Sequence, residues 1–195
     1  MEKAKIIFNK AIKIFHSPER IGIAAAGAVV IIAAAVWFGF KSSEPDAKVV
    51  AAARQISLLT DNVRKFYRNR PDAWGLNTQS VLKNAIAPQE MVQNGKLVNA
   101  LGKETIVGAD ADGMTVMPGG RNFVIAFRDL TYEECVELAA LAPDEKTALS
   151  LTSETIANAT ETMFVWGGEH PLPITRKAAE EFCKQQNSLI WNILL

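Results

Sequence analysis

Residues 21–40 read IGIAAAGAVVIIAAAVWFGF, twenty positions without a charge. As a helix rising about 1.5 Å per residue, this run spans the roughly 30 Å hydrocarbon core of a bilayer. Lys3, Lys5, Lys10, Lys13 and Arg20 precede it against only Glu2 and Glu19, while Lys41 after it is soon answered by Glu44 and Asp46. The basic end is expected to stay in the cytoplasm and the chain beyond the run to be exported. A signal peptide has a similar layout, but its apolar core is usually shorter and closes on a small-residue cleavage site. Here Ala24, Ala25 and Ala26 are followed by more apolar sequence. The expected division is a basic cytoplasmic leader over 1–20, a retained transmembrane helix over 21–40 and one exported globular domain over 41–195.

Downstream of the run, Ser42, Ser43, Glu44, Pro45 and Asp46 interrupt the apolar pattern. Proline there fits a first-turn position or a kink. From Ala47 to Arg68, the apolar residues Val49, Ala53, Ile56, Leu59, Val63 and Phe66 recur every three or four positions, which predicts an amphipathic helix. The expected result is one long helical rod, half in lipid and half amphipathic.

The rest of the domain alternates short helices and strands. Arg70 to Gly75 reads as a loop, and Thr78 to Ala87 as a short helix capped by Thr78 and stopped by Pro88. Strands are expected at Thr105 to Val107, Met114 to Met117 and Asn122 to Arg128. In the third, Phe123, Ile125 and Phe127 form a face expected to lie on the amphipathic helix. Thr131 and Glu134 have capping-box spacing and open a helix ending before Pro143 that turns Cys135 inward. Asp144 to Thr160, rich in Ser, Thr, Ala and Glu, has no clear period. Thr162 to Trp166 reads as a strand and Gly167 to Pro173 as a loop. Thr175 caps a helix through Cys183, and Leu189 to Leu195 reads as a final strand.

Charge and composition exclude several functions. The 21 basic and 21 acidic residues balance, leaving no basic footprint for nucleic acid. Of two histidines, His16 falls in the leader and His170 in a Gly/Pro loop, so no general base faces a nucleophile and no enzyme is indicated. Asp110, Asp112 and Gly113 resemble the start of a calcium loop, but Arg121 stands where its bidentate acid belongs, and a polar turn is the expectation. Gly119 and Gly120 lack the lysine and hydroxyl of a phosphate loop. Two cysteines without histidine partners make no structural zinc site, so neither metal nor cofactor is implied. In an oxidising compartment Cys135 and Cys183 are free to form a disulfide, the alternative being two buried thiols.

Two segments are specific enough to suggest a family. Phe127 to Leu138, with Leu130, Thr131, Cys135 and Leu138, resembles the Leu-Thr-x-x-x-Cys-x-x-Leu segment of type IVb pilins, the group of toxin-coregulated, bundle-forming and conjugative thin-pilus subunits. Ala179 to Lys184, with Cys183, resembles their second disulfide segment ahead of a C-terminal strand. The order of apolar helix, amphipathic helix, β region and two late cysteines is similar as well. The resemblance implies an α+β, type IV pilin-like fold: a long N-terminal helix packed on an antiparallel sheet, with a C-terminal region linked by Cys135 and Cys183.

It also implies a structural subunit with no cofactor. Such a subunit waits in the inner membrane of a Gram-negative cell, meets a prepilin peptidase and the pilus assembly machinery, and polymerises with itself into an extracellular filament for adhesion, aggregation or conjugation. In the family, a glutamate near the start of the apolar helix meets the terminal amine of a neighbour, and Glu19 is the acid at that place. The other reading of Glu19 is a surface charge beside Arg20. The leader departs from the family pattern. Counting back four from Glu19 puts Phe15 first, after Ile14 rather than a small residue, and a cut after Ser17 would leave Glu19 second. Rival readings are a membrane-anchored extracytoplasmic binding domain, and a minor pilin or secretion-system pseudopilin.

Overall fold

The computed structural model describes residues 45–141 and 145–195. The leader, the apolar run 21–40 and Glu19 lie outside the described residues. Among the described residues, no helix is long and apolar enough to cross a membrane.

Helix α1 covers Ala47–Tyr67. Its start is local and well defined: Asp46 has an extended backbone with ψ 133°, and its carboxylate accepts from Lys48 N at 2.7 Å. Such a cap satisfies one of the donors that a helix N-terminus leaves open. The amphipathic helix therefore has its own N-terminal cap at Asp46, which Pro45 precedes, and the lipid half of the expected rod lies outside the described residues. One stripe of α1, Val49, Ala52, Ile56, Leu59, Val63 and Tyr67, is buried. Basic Arg64 and Lys65 in the last turn complement the negative end of the helix dipole.

That stripe belongs to the main hydrophobic core, shared with the sheet. The sheet is formed by β3 (Thr105–Gly108), β4 (Asn122–Leu130), β5 (Leu151–Ala157), β6 (Glu161–Val165) and β7 (Asn187–Leu194). Their order is β3-β4-β7-β5-β6, and every neighbouring pair is antiparallel. The C-terminal strand thus lies at the centre. Phe123, Ile125 and Phe127 point into the core that α1 covers, as their alternation predicts. Val124 and Ala126 on the opposite face join Ile106 in a smaller cluster, which Ala111 and Ile190 flank. Register shifts between Phe127 and Leu130, where Asp129 takes φ 56°, bend the end of β4 toward the next helix.

The outer elements correct several expectations. Helix α2 is Thr78–Lys83, capped by Asn77 rather than Thr78: Asn77 accepts from Ser80 N at 2.7 Å, and Ser80 Oγ accepts from Asn77 N at 2.9 Å. The Thr78 hydroxyl is used elsewhere, accepting from Val107 N at 2.9 Å and donating to Val107 O at 3.2 Å. It thereby occupies free backbone groups on the edge strand β3, groups that would otherwise invite another strand. Asn84 and Ala85, the latter at φ 51°, end α2 before Ala87.

Met114 to Met117 is no strand. Its buried residue, Val116, exchanges two backbone bonds with the loop at Gly75 and Leu76, and both methionines are exposed. A two-residue hairpin, β1 (Val92–Gln93) and β2 (Lys96–Leu97), turns at Asn94 and Gly95 with φ 51° and 75°. That Asn-Gly pair is a strong turn signal in its own right. Helix α3 (Tyr132–Ala139) has both halves of the expected capping box, from Thr131 and Glu134. Residues 145–157, without a clear period in sequence, form α4 (Glu145–Ser150) and β5. Helix α5 (Arg176–Phe182) begins at Thr175, whose hydroxyl accepts from Ala178 N.

Leu59 is fully buried between helix and sheet. Leu59→Ala should lower the unfolding free energy by about 2–5 kcal/mol in urea titrations, whereas Lys65→Ala on the exposed face should cost less than about 0.5 kcal/mol.

Candidate functional site

Cys135 on α3 and Cys183 after α5 are both buried and joined by a disulfide, 48 residues apart in sequence. The closed loop contains α4, β5, β6 and α5, so the bond ties the end of that segment, just ahead of β7, to α3. Beside it, Asn187 is buried at the first position of β7. Its Oδ1 accepts from Lys184 N at 2.7 Å, and its Nδ2 donates to Lys184 O at 2.6 Å and Leu130 O at 3.3 Å. Asn158 donates to the same Oδ1 and to Phe182 O. One amide thus joins the end of β4, the β5–β6 turn and the segment after Cys183. Nothing in the sequence around Asn187 marks its link to β4 and the β5–β6 turn, because Leu130 and Asn158 come near only on folding.

The remaining chemical groups singled out in sequence are structural. His170 packs against the rings of Phe164 and Phe182, with centroids 5.5 and 5.0 Å away. Asp110 Oδ1 accepts from Asp112 N at 3.0 Å and Met114 N at 3.2 Å, which is a polar turn, and Arg128 folds back to Asp112 at 2.7 Å. Among the described residues, no group of three potential metal ligands gathers.

Sequence reading passes over one further residue, Glu154. The register places Val107, Ile125, Trp191, Glu154 and Phe164 side by side across all five strands. Glu154 is the one acid in this apolar row and is 3% exposed. Its Oε1 has no hydrogen-bond partner among the described residues. It lines a cavity of about 330 Å³ between the sheet and the helices, whose walls include Ala53, Ile56, Leu138 and Trp191. Thr147 Oγ1 donates to Ser57 Oγ at 3.1 Å across one side. The exposed residues Val50 and Arg54 lie at its rim. In sequence, Glu154 looks solvent-facing because Thr152, Ser153 and Thr155 surround it. Only its spacing of two from Ile156 hints that it points inward.

Burial pushes the Glu154 carboxyl up from the usual 4.5 to about 8, and the Trp191 indole N–H offsets this only in part. Among the surrounding elements, α1 brings Arg54 to the rim, while α3, α4, β6 and β7 face the cavity or the carboxyl with Leu138, Thr147, Phe164 and Trp191.

The class of molecule these features define is an α+β domain: one long amphipathic helix on an antiparallel sheet, with a disulfide-linked C-terminal region. Two solved structures are similar to it, a type IVb pilin from Salmonella typhi and TcpA, a type IV pilin from Vibrio cholerae El Tor biotype. Their identities are 16% and 10%, and both have a TM-score of 0.49 over 74% of this chain and 98% of the pilin chain. No protein-family model and no curated protein matches the sequence.

Closing a loop of this length restricts the unfolded chain by about 4 kcal/mol. Cys135→Ser should therefore lower stability by about 2–5 kcal/mol, while unfolded, unreduced wild-type protein should show no titratable thiol. The Glu154 shift has a definite sign. A carboxyl protonated more readily in the folded than in the unfolded chain stabilises the fold fully below about pH 4.5, and that contribution is lost as pH rises to about 8. The stability of wild type minus that of Glu154→Gln should fall by a few kcal/mol across this window, at no more than about 1.4 kcal/mol per pH unit. A flat difference between pH 4.5 and 8 would refute a buried, titrating Glu154.

Proposed function

We propose that this chain is a structural subunit of a type IV pilus of the IVb group. The observation that carries the reading is helix α1, half buried on an antiparallel sheet and half exposed, following in sequence an uncharged run long enough to cross a bilayer. A second support is the position of the disulfide, whose two cysteines lie in the segments that resemble type IVb pilins.

On this reading residues 1–20 are a cytoplasmic leader, 21–40 hold the subunit in the inner membrane, and 41–195 form the exported domain. A prepilin peptidase trims the leader. The apolar helix then passes from lipid into a bundle of identical helices, an exchange between two apolar surroundings that need not expose it to water. Ala24, Ala25, Ala26, Gly27, Ala33 and Ala34 let such helices approach closely. The disulfide and the buried face of α1 keep each exported domain intact outside the cell, where the filament serves adhesion, aggregation or conjugation. Glu19 sets the register between subunits by pairing with a neighbour's terminal amine, since an unpaired charge in such a core would be costly.

The test is to shear cells and determine the N-terminus of the released subunit by mass spectrometry. A trimmed N-terminus on sheared filaments is expected, and an intact Met1 confined to membranes would favour a monomeric anchored domain. In the same assay Glu19→Ala should leave membrane insertion and the disulfide unchanged while cutting sheared subunit at least tenfold. An unchanged filament yield would remove Glu19 from assembly.

A further inference from the structure

Glu154 does nothing for the stability of this fold that an apolar residue would not do better. Its cross-strand neighbours on the core face are Trp191 and Phe164, and its own strand next presents the buried Ile156 on that face. A carboxyl among such groups loses water and gains little, and a hydrophobic residue of similar size at such a place is usually neutral or stabilising. A costly polar group retained in an apolar wall is what a binding site looks like before its ligand arrives.

The adjoining space fits this reading. At about 330 Å³ the cavity holds far more than one water and falls at the lower end of small-molecule sites. Among the described residues its lining is largely apolar, with Trp191 offering a flat indole; the hydroxyls of Ser57 and Thr147 bond to each other, and Glu154 Oε1 is left without a partner. The rim residue Arg54 opposes entry of a cation, and among the described residues no other cationic side chain lines the cavity.

We propose that this cavity is a binding site for a small uncharged molecule with a flat apolar body and one acceptor oxygen, seated against Trp191 and hydrogen-bonded by Glu154. The carboxyl serves as donor while it holds its proton, which burial secures at neutral pH and below. Arg54 and Val50 then flank the ligand at the mouth, where the cavity meets the exposed side of α1. This goes beyond the pilus reading and does not depend on filament formation.

Three compounds of nearly equal shape test it: acetophenone, which has the acceptor; ethylbenzene, which lacks it; and 1-phenylethylamine, a cation at pH 6. The full chain in detergent, with ¹⁵N-labelled tryptophan, reports binding through the Trp191 indole resonance, assigned with Trp191→Phe. At pH 6 acetophenone should shift this resonance saturably. Ethylbenzene should bind at least tenfold more weakly, and the amine should give no saturable shift. Glu154→Leu should erase the preference for the ketone over the hydrocarbon, while Glu154→Gln, whose amide still donates, should keep it. Equal binding of ketone and hydrocarbon would overturn the proposal. So would a ketone preference that survives Glu154→Leu, or the absence of any saturable shift.

Discussion

The sheet depends on the insertion of β7 between β4 and β5. Those two strands are not paired with each other, so without the last residues of the chain the sheet separates into a β3–β4 pair and a β5–β6 pair. Residues Leu189, Trp191 and Ile193 fill the middle of the core face from this one strand, and all three are buried. Long-range pairing of this kind closes large loops before it yields contacts, so folding is expected to wait on it. The disulfide and Asn187 act at the entrance of β7. Cys183 is fixed to α3 four residues before the strand begins, and the Asn187 amide fixes its first residue to the end of β4. Both constraints shorten the search that brings β7 to its place.

Helix α1 covers the face that β7 completes. Its apolar stripe needs a flat partner surface, and the sheet offers one only when Phe123, Ile125 and Phe127 of β4 are continued by the β7 side chains. Helix and sheet are therefore mutually dependent. The cavity beside Glu154 lies within this same interface, bounded by α1, α3 and the β5–β7 row. An uncharged guest held there would rest on the elements most responsible for the fold, and its binding would stabilise them.

The sequence by itself determined the elements whose cause is local. The 3.6-residue period of Val49, Ile56, Leu59 and Val63 placed α1, and the spacing of Thr131 and Glu134 placed the start of α3. The alternation of Phe123, Ile125 and Phe127 identified the strand and its inward face. Each of these signals lies within one or two turns of chain, where hydrogen bonding and side-chain period act directly. Asn94-Gly95 is an equally local hairpin signal that the sequence reading passes over, and that reading names Thr78 as the cap where the neighbouring Asn77 serves.

Only the tertiary structure decided what depends on distant partners. The central position of β7, the use of Thr78 to cover a strand edge, the link from Asn187 to the end of β4 and the packing of Trp191 beside Glu154 all rest on partners distant in sequence. Strand order has no local signature, because an apolar strand reads alike at a centre or an edge. The environment of an acid is set by what packs over it, and in Ser-Glu-Thr-Ile nothing announces a tryptophan on one side and a phenylalanine on the other. The sequence could name Cys135 and Cys183 as able to pair, and the fold decided it by bringing the helix of one against the strand entrance of the other.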